Sequence, residues 1–335
     1  MTPLGYDSYS IRAFRWKAIE LIDYAARLGL DTVQISGLDE YESLEEAHLR
    51  KVREHAERSG IAVDAGIGCI CPTTKSYNSR NGKPEEYLLR GARVARIMGS
   101  KSMRCFAGSP AERRGNLPME AHIESTVKVV RAVRSQLQDL GVKAAIENHG
   151  DFTAREMKTL IEQAGSDVTG VCYDTGNPMN VLEDPMLTLE VLAPYIATSH
   201  FRDSALFEHP RGCAFQWVAL GDGSAGIEKV AARFAELCPG KAMQLEIITG
   251  RAPTVLPYLE PEFWKAYPNL PAGDFARFVK LVNNGRPYFG PMVIGGEGKQ
   301  PEAIEAALKE QQRVDLERSL EYAKSKLGVG ARKRG

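Results

Sequence analysis

Eight short β-type runs alternate with longer helical patterns between the N-terminus and about residue 250, and this rhythm limits the fold more than any other feature of the chain. The runs lie at 4–11, 31–36, 61–68, 101–108, 142–150, 168–174, 195–201 and 241–250. Helical patterns fill 16–28, 43–59, 84–98, 119–140, 153–164, 184–193 and 224–236. Strand and helix in strict turn predict a parallel sheet with crossover helices. Eight units in this length fit a closed α/β (β/α)₈ TIM barrel better than an open sheet. A doubly wound sheet would carry a Gly-rich phosphate turn after its first strand, where this chain has Ser8, Tyr9 and Ser10.

Residues 1–250 therefore read as the barrel and 251–335 as a mostly helical C-terminal extension. Segment 251–298 is rich in Pro, Gly and aromatics and reads as ordered loops with a short helix near 273–283. An amphipathic helix is expected over 301–327, with Ile304, Leu308, Leu316, Leu320, Ala323 and Leu327 as its apolar face. The extension is expected to pack on the barrel or a neighbouring subunit, with Phe263, Trp264 and Tyr267 as candidates to wall an active-site mouth. The basic tail at 328–335 reads as a solvated end.

Composition removes several function classes. Lys plus Arg and Asp plus Glu both number 43, so no basic surface advertises nucleic-acid binding. No apolar run approaches the ~18 residues of a membrane helix, and the first residues lack the pattern of a signal peptide. The six cysteines are scattered with no CxxC pair, which predicts a reducing, cytoplasmic setting without disulfides.

Chemistry concentrates at the ends of the last four runs, in Glu147, Asp174, His200 and Glu246, spaced 27, 26 and 46 residues apart. The C-terminal ends of barrel strands open on one face, so these side chains are expected to converge. Three carboxylates without a counter-charge would repel one another, which calls for a cation. Oxygen donors with one imidazole suit Mn²⁺, Mg²⁺, Fe²⁺ or Co²⁺, with Zn²⁺ less favoured. An acidic residue after a strand is often only a turn residue or helix cap; four in succession argue for a metal site. Alternation places His149 on the face of Glu147 and Arg202 on that of His200, while Asn148 and Tyr173 point to the helix layer. His149 then reads as a general base, acid or hydroxyl contact, and Arg104 as a clamp for a substrate anion or carbonyl, or as a plain ion-pair residue. Glu147 and Glu246 could move a proton between neighbouring carbons.

The stretches AIENHGD (145–151), CYDTGN (172–177), SHFRD (199–203), FQWVALGDGSAGI (215–227) and LEI (245–247) resemble the sugar phosphate isomerase/epimerase family with its xylose-isomerase-like TIM barrel. The resemblance covers about residues 4–250. It implies that Glu147, Asp174, His200 and Glu246 bind a divalent metal, manganese first, and that the two glutamates are an acid/base pair. It also implies Arg211 and Gln216 as substrate contacts. The extension departs from the common epimerase pattern and points toward a branch acting on oxo-sugars. Isomerisation or epimerisation of a keto- or oxo-sugar is the expected reaction. The alternatives are a lyase of oxidised sugars, by deglycosylation or decarboxylation, and a non-catalytic sugar- or metal-binding barrel. An abasic-site endonuclease of this fold needs more His ligands than this chain's six histidines supply at strand ends. A homo-oligomer is expected, with a small auxiliary subunit as a further partner.

Overall fold

The computed structural model describes residues 2–296 and 298–330, so the end of the basic tail lies outside the described residues. Eight parallel strands form the barrel: β1 (Leu4–Asp7), β2 (Thr32–Ile35), β3 (Ala62–Cys69), β4 (Ser102–Phe106), β5 (Lys143–Glu147), β6 (Thr169–Asp174), β7 (Ile196–His200) and, eighth in the sheet, β10 (Met243–Leu245). They pair in chain order, and β10 returns to pair with β1. A single parallel bridge between Phe201 and Leu245 closes the ring, with the Phe201 amide donating to the Gln244 carbonyl at 2.7 Å.

Between the strands run α1 (Ala18–Arg27), α2 (Glu46–Ser59), α3 (Pro84–Met98), α4 (Met119–Ala132), α5 (Arg134–Leu140), α6 (Ala154–Ala164), α7 (Pro185–Leu192) and α8 (Ile227–Leu237). The local signals explain the boundaries. Gly60 ends α2 at φ 69°, a conformation that suits glycine. Thr153 and Glu156 form a capping box on α6, and Pro84 starts α3. The single helix expected over 119–140 is two, because Val133 leaves helical geometry (φ −121°, ψ 17°) between α4 and α5.

One feature absent from the strand-and-helix rhythm shapes the site. The span 201–223, between the seventh β-type run and the helix after it, holds an antiparallel hairpin of β8 (Asp203–His209) and β9 (Gly212–Val218). From the C-terminal segment, β11 (Thr254–Leu256) adds to it beside β9. The C-terminal helices, α9 (Ala272–Asn283) and α10 (Glu302–Ser325), fall close to the spans expected for them. Phe278 and Val282 of α9 share a small core with Leu206, Phe215 and Leu256 of the hairpin sheet. Leu316, Leu320 and Ala323 of α10 instead join the main barrel core. Lys324 donates to the Leu28 carbonyl behind α1, and Tyr322 to Glu228 of α8, so α10 sits between these two helices and fills the eighth place in the ring. Among the described residues no helix is long and apolar enough to cross a membrane.

Candidate active site

The four residues singled out from the sequence come together. One ligand atom each from Glu147, Asp174, His200 and Glu246 lies within 4.8 Å of the others, all four residues being buried. Strand register accounts for this: Asp174 pairs with His200 across β6 and β7, and the bridge at Phe201–Leu245 sets Glu246 alongside. His200 Nδ1 is 3.5 Å from Glu147 Oε1, 3.7 Å from Glu246 Oε1 and 4.0 Å from Asp174 Oδ2, with no hydrogen-bond partner of its own. Its Nε2 faces the carbonyl oxygen of Gln34, which only accepts. The ring therefore keeps a proton on Nε2, and in its neutral form turns the Nδ1 lone pair toward the carboxylates. Burial works against the charged ring, but the facing Cys172, Glu246 and Glu147 raise His200 well above the usual histidine range, so a cation held here would take the place of its Nδ1 proton. Three carboxylate oxygens and one imidazole nitrogen without a hydrogen-bond partner are a donor set that fits a divalent cation.

The carboxylates do have counter-charges, which corrects the premise that only a cation could balance them. Arg104 donates through Nε to Glu147 Oε2 at 2.6 Å, and its Nη2 pairs with the same oxygen. Arg202 grips Asp174 Oδ2 through Nε and Nη2 at 2.9 and 2.6 Å, and its Nη2 lies 3.1 Å from Glu246 Oε2. Burial alone would raise Glu147, but the Arg104 and His200 charges outweigh it and hold the group well below the ordinary carboxylate range. At Glu246 burial prevails over Arg202 and His200, and the group is raised. Burial pushes Cys172, beside His200, up to about 12, so it remains a thiol.

The motif residues interlock. Asp174 Oδ1 accepts from the Gly176 and Asn177 amides at 2.7 Å each, and Asn177 Nδ2 donates to Glu147 Oε1 at 3.0 Å. A Cβ on Gly176 would stand 2.7 Å from Arg202 Cγ, so glycine there lets the arginine cross. Tyr173 reaches the helix layer as expected, donating to the Pro185 carbonyl. Asn148 does not; its amide exchanges two hydrogen bonds with the Asp174 backbone.

Above the cluster opens a cavity of about 580 Å³ lined by Arg104, His149, Arg202 and Glu246, with Phe106, Trp217, Phe263 and Tyr267 among its apolar walls. His149 stacks on Phe106 at 4.4 Å and donates Nδ1–H to the Gly108 carbonyl, which leaves Nε2 of the neutral ring as an acceptor. Trp264 is turned away, donating to the Tyr258 carbonyl. Arg211 and Gln216 are not brought to the cavity. Arg211 stands at the hairpin turn, paired with Glu260. Gln216 alternates with Phe215 and Trp217 on β9, so the two aromatics line the cavity while Gln216 Nε2 donates to the Arg251 carbonyl at 3.0 Å.

Fold and site together describe a barrel whose strand ends carry the cluster, and residues 22–264 match the family described as the xylose isomerase-like TIM barrel. The chain belongs to that family. Among curated members, it is 22% identical to the 3-oxo-isoapionate decarboxylase of Pectobacterium atrosepticum over 232 residues, 66% of this chain and 76% of the relative. The solved structure of an L-ribulose 3-epimerase superposes with a TM-score of 0.59 at 18% identity, covering all of both chains. That of the IOLI protein with a bound zinc atom gives 0.56 at 14%, covering 87% of this chain and all of the other. These xylose isomerase-like barrels share the fold, and the relatives named as enzymes act on sugars or oxo-sugars.

Sequence reasoning missed Asp7, whose Oδ2 lies 3.4 Å from His200 Nε2, as well as Gln34, Asn177, Trp217 and Arg251. Alternation on β2 would have put Gln34 inside the barrel, and the CYDTGN motif already contained Asn177. Trp217 and Arg251 carried no signal until the hairpin was recognised.

Proposed function

We propose that this chain is a divalent-cation-dependent enzyme of the sugar isomerase/epimerase type, moving a proton at the carbon beside the carbonyl of a keto- or oxo-sugar. The observation that carries this reading is the unpartnered His200 Nδ1 among three carboxylates, one of which, Glu246, lines the cavity. Glu147, Asp174, His200 and Glu246 would hold the cation, with Mn²⁺ as first choice and Mg²⁺, Co²⁺, Fe²⁺ or Zn²⁺ as alternatives. Bound there, a divalent ion supplies polarisation of the substrate carbonyl, which acidifies the neighbouring C–H.

The chain's own groups divide the remaining work. Glu246 is the acidic residue that lines the cavity, and burial raises it despite the Arg202 Nη2 3.1 Å from its Oε2, so it is the carboxylate placed to take a proton from carbon. Glu147 is its partner on the return step, but Arg104 and Asn177 occupy both its oxygens, making it the more constrained of the pair. His149 Nε2 accepts or returns a proton at a substrate hydroxyl. Arg202 Nη1, buried and unpartnered, donates to a substrate oxygen. Phe106, Trp217 and Tyr267 exclude water around the reacting carbons.

The test is proton exchange. Mn²⁺-loaded protein, incubated in heavy water with free ketoses and oxo-sugars, should place deuterium beside the carbonyl, and Glu246→Gln should not. Absence of exchange with every cation and sugar would overturn the reading. Similarity to a decarboxylase over 232 residues supports a second outcome at the same carbon, loss of carboxylate in place of a proton. Release of carbon dioxide from an oxo-sugar acid would identify it.

A further inference from the structure

We propose that the substrate of this cavity carries an anionic group, gripped at the mouth by Arg12 and Arg251. This rests on the reading of the cavity as a substrate site. Arg251 follows the eighth strand and lines the cavity, its guanidinium 5.3 Å over the Trp217 ring and its carbonyl held by Gln216. Arg12 approaches from the opposite end of the chain, on the 3₁₀ turn Ser8–Phe14. Its guanidinium lies 4.4 Å over the Tyr9 ring, and Nη1 donates to the Tyr9 carbonyl at 2.9 Å. Arg12 lines a second hollow that shares Tyr9, Ser36, Arg104 and Phe106 with the first.

Both guanidiniums are held in place by aromatic faces, yet neither has a carboxylate partner among the described residues. Several arginines around the site are matched, although Arg114, exposed on the same lining, also has no carboxylate partner among the described residues. Arg104 and Arg202 have Glu147 and Asp174, Arg211 has Glu260, and Arg277 has Asp184. Tyr9, the ring that Arg12 covers, lines the cavity together with Arg251. Burial and the Arg251 charge lower the Arg12 guanidinium, against the opposite pull of Tyr9 and Glu246. Glu246 is the one acidic residue of the cavity lining, and it is engaged with Arg202 and His200. Two like charges on adjoining hollows, neither paired with a carboxylate among the described residues, form a receptor for an anion brought by the ligand.

A carboxylate and a phosphoryl group would both satisfy two guanidinium forks. The Gly-rich turn after β9 favours the carboxylate, because its Gly221 and Gly223 amides already donate to Asp203 Oδ2 at 3.1 Å each and are not free to cradle a phosphate.

Calorimetric titration of the Mn²⁺-loaded protein with D-fructose, 5-keto-D-gluconate and D-fructose 6-phosphate tests this at low and high salt. The keto acid should bind at least about tenfold tighter than D-fructose, with the advantage shrinking as salt rises. The paired substitution Arg12→Gln and Arg251→Gln should erase the difference, while the pair Arg233→Gln and Arg134→Gln, which removes the same charge from the surface, should keep it. Preference for the phosphate ester over the keto acid would support the site with a phosphoryl group as its anion. Equal binding of all three, no binding of either anion, or a preference surviving the paired substitution would overturn it. The ligand comparison on the unaltered protein decides even if the paired variant fails to fold. Anion preference without deuterium exchange would leave this site standing and remove the enzyme reading; exchange on D-fructose without anion preference would do the reverse.

Discussion

Gln34 decides which nitrogen of His200 is available, and so a side chain that touches none of the carboxylates governs the donor set. Replacing it with Leu removes the nearer acceptor on Nε2 and leaves only Asp7 Oδ2, 3.4 Å away, so the ring is held less firmly in that tautomer. Cation affinity, measured by chelator competition, should fall about 10–100-fold; unchanged affinity would show that the ring is oriented by other means. Glu183 offers a second residue-scale prediction, on stability. Its carboxylate accepts from the Ala154 amide and Thr188 Oγ1, and burial raises it to about 7. In the unfolded chain it ionises near its ordinary 4.5, so between these two pH values the folded state holds the proton more tightly. Stability from this group is therefore present at low pH and lost as pH rises toward 7, by about 3 kcal/mol at most. Glu183→Gln should flatten that part of the stability curve in urea titrations from pH 4.5 to 7.

At the scale of elements, the hairpin β8–β9 hangs on one buried carboxyl. Asp203 accepts from the Ser204, Gly221 and Gly223 amides, binding the start of β8 to the turn that follows β9. Asp203→Ala should leave three amides unpaired, costing about 1–3 kcal/mol for each that water does not reach. Hydrogen exchange should accelerate across 203–224 while β5 and β6 stay protected; uniform exchange across the chain would refute this local role. The hairpin also marks where the sequence stopped being legible. The barrel strands are buried on both faces and read as apolar runs bounded by turns, so their order and their terminal acids could be recognised. In β8 and β9, by contrast, polar Ser204 and Gln216 are buried, and the composition of His, Pro, Gly and Gln imitates a loop. The site was legible where it depended on strand ends, as with Glu147, Asp174, His200 and Glu246. It was not where it depended on contacts between distant segments: the ion pairs of Arg104 with Glu147 and of Arg202 with Asp174 join residues 43 and 28 positions apart. Arg211 sits at the turn of an unrecognised hairpin, and Gln216 on the face of β9 that turns from the cavity.

For the molecule as a whole, α10 belongs to the barrel's helical ring in packing if not in sequence position. Leu316 is fully buried in the main core, whereas Val314, two residues earlier, is 42% exposed. Leu316→Ala should cost about 2–5 kcal/mol, and Val314→Ala within about 0.5 kcal/mol. Urea unfolding of the Leu316 variant should remain one transition at a lower midpoint; an early separate transition confined to the C-terminal segment would show that α10 melts independently. The pairing of β1 with β10 has a consequence for how the protein is made. Strand β1 is synthesised first among the strands, and one of its two edges has no partner until Met243–Leu245 exist. The helix that covers that seam follows later still. On the ribosome, β1 must wait with an open edge through the synthesis of most of the chain, the situation in which strands are exposed to wrong partners and to chaperones. Nascent chains arrested before β10 has emerged should be cut by protease within β1, and those arrested after α10 has emerged should resist.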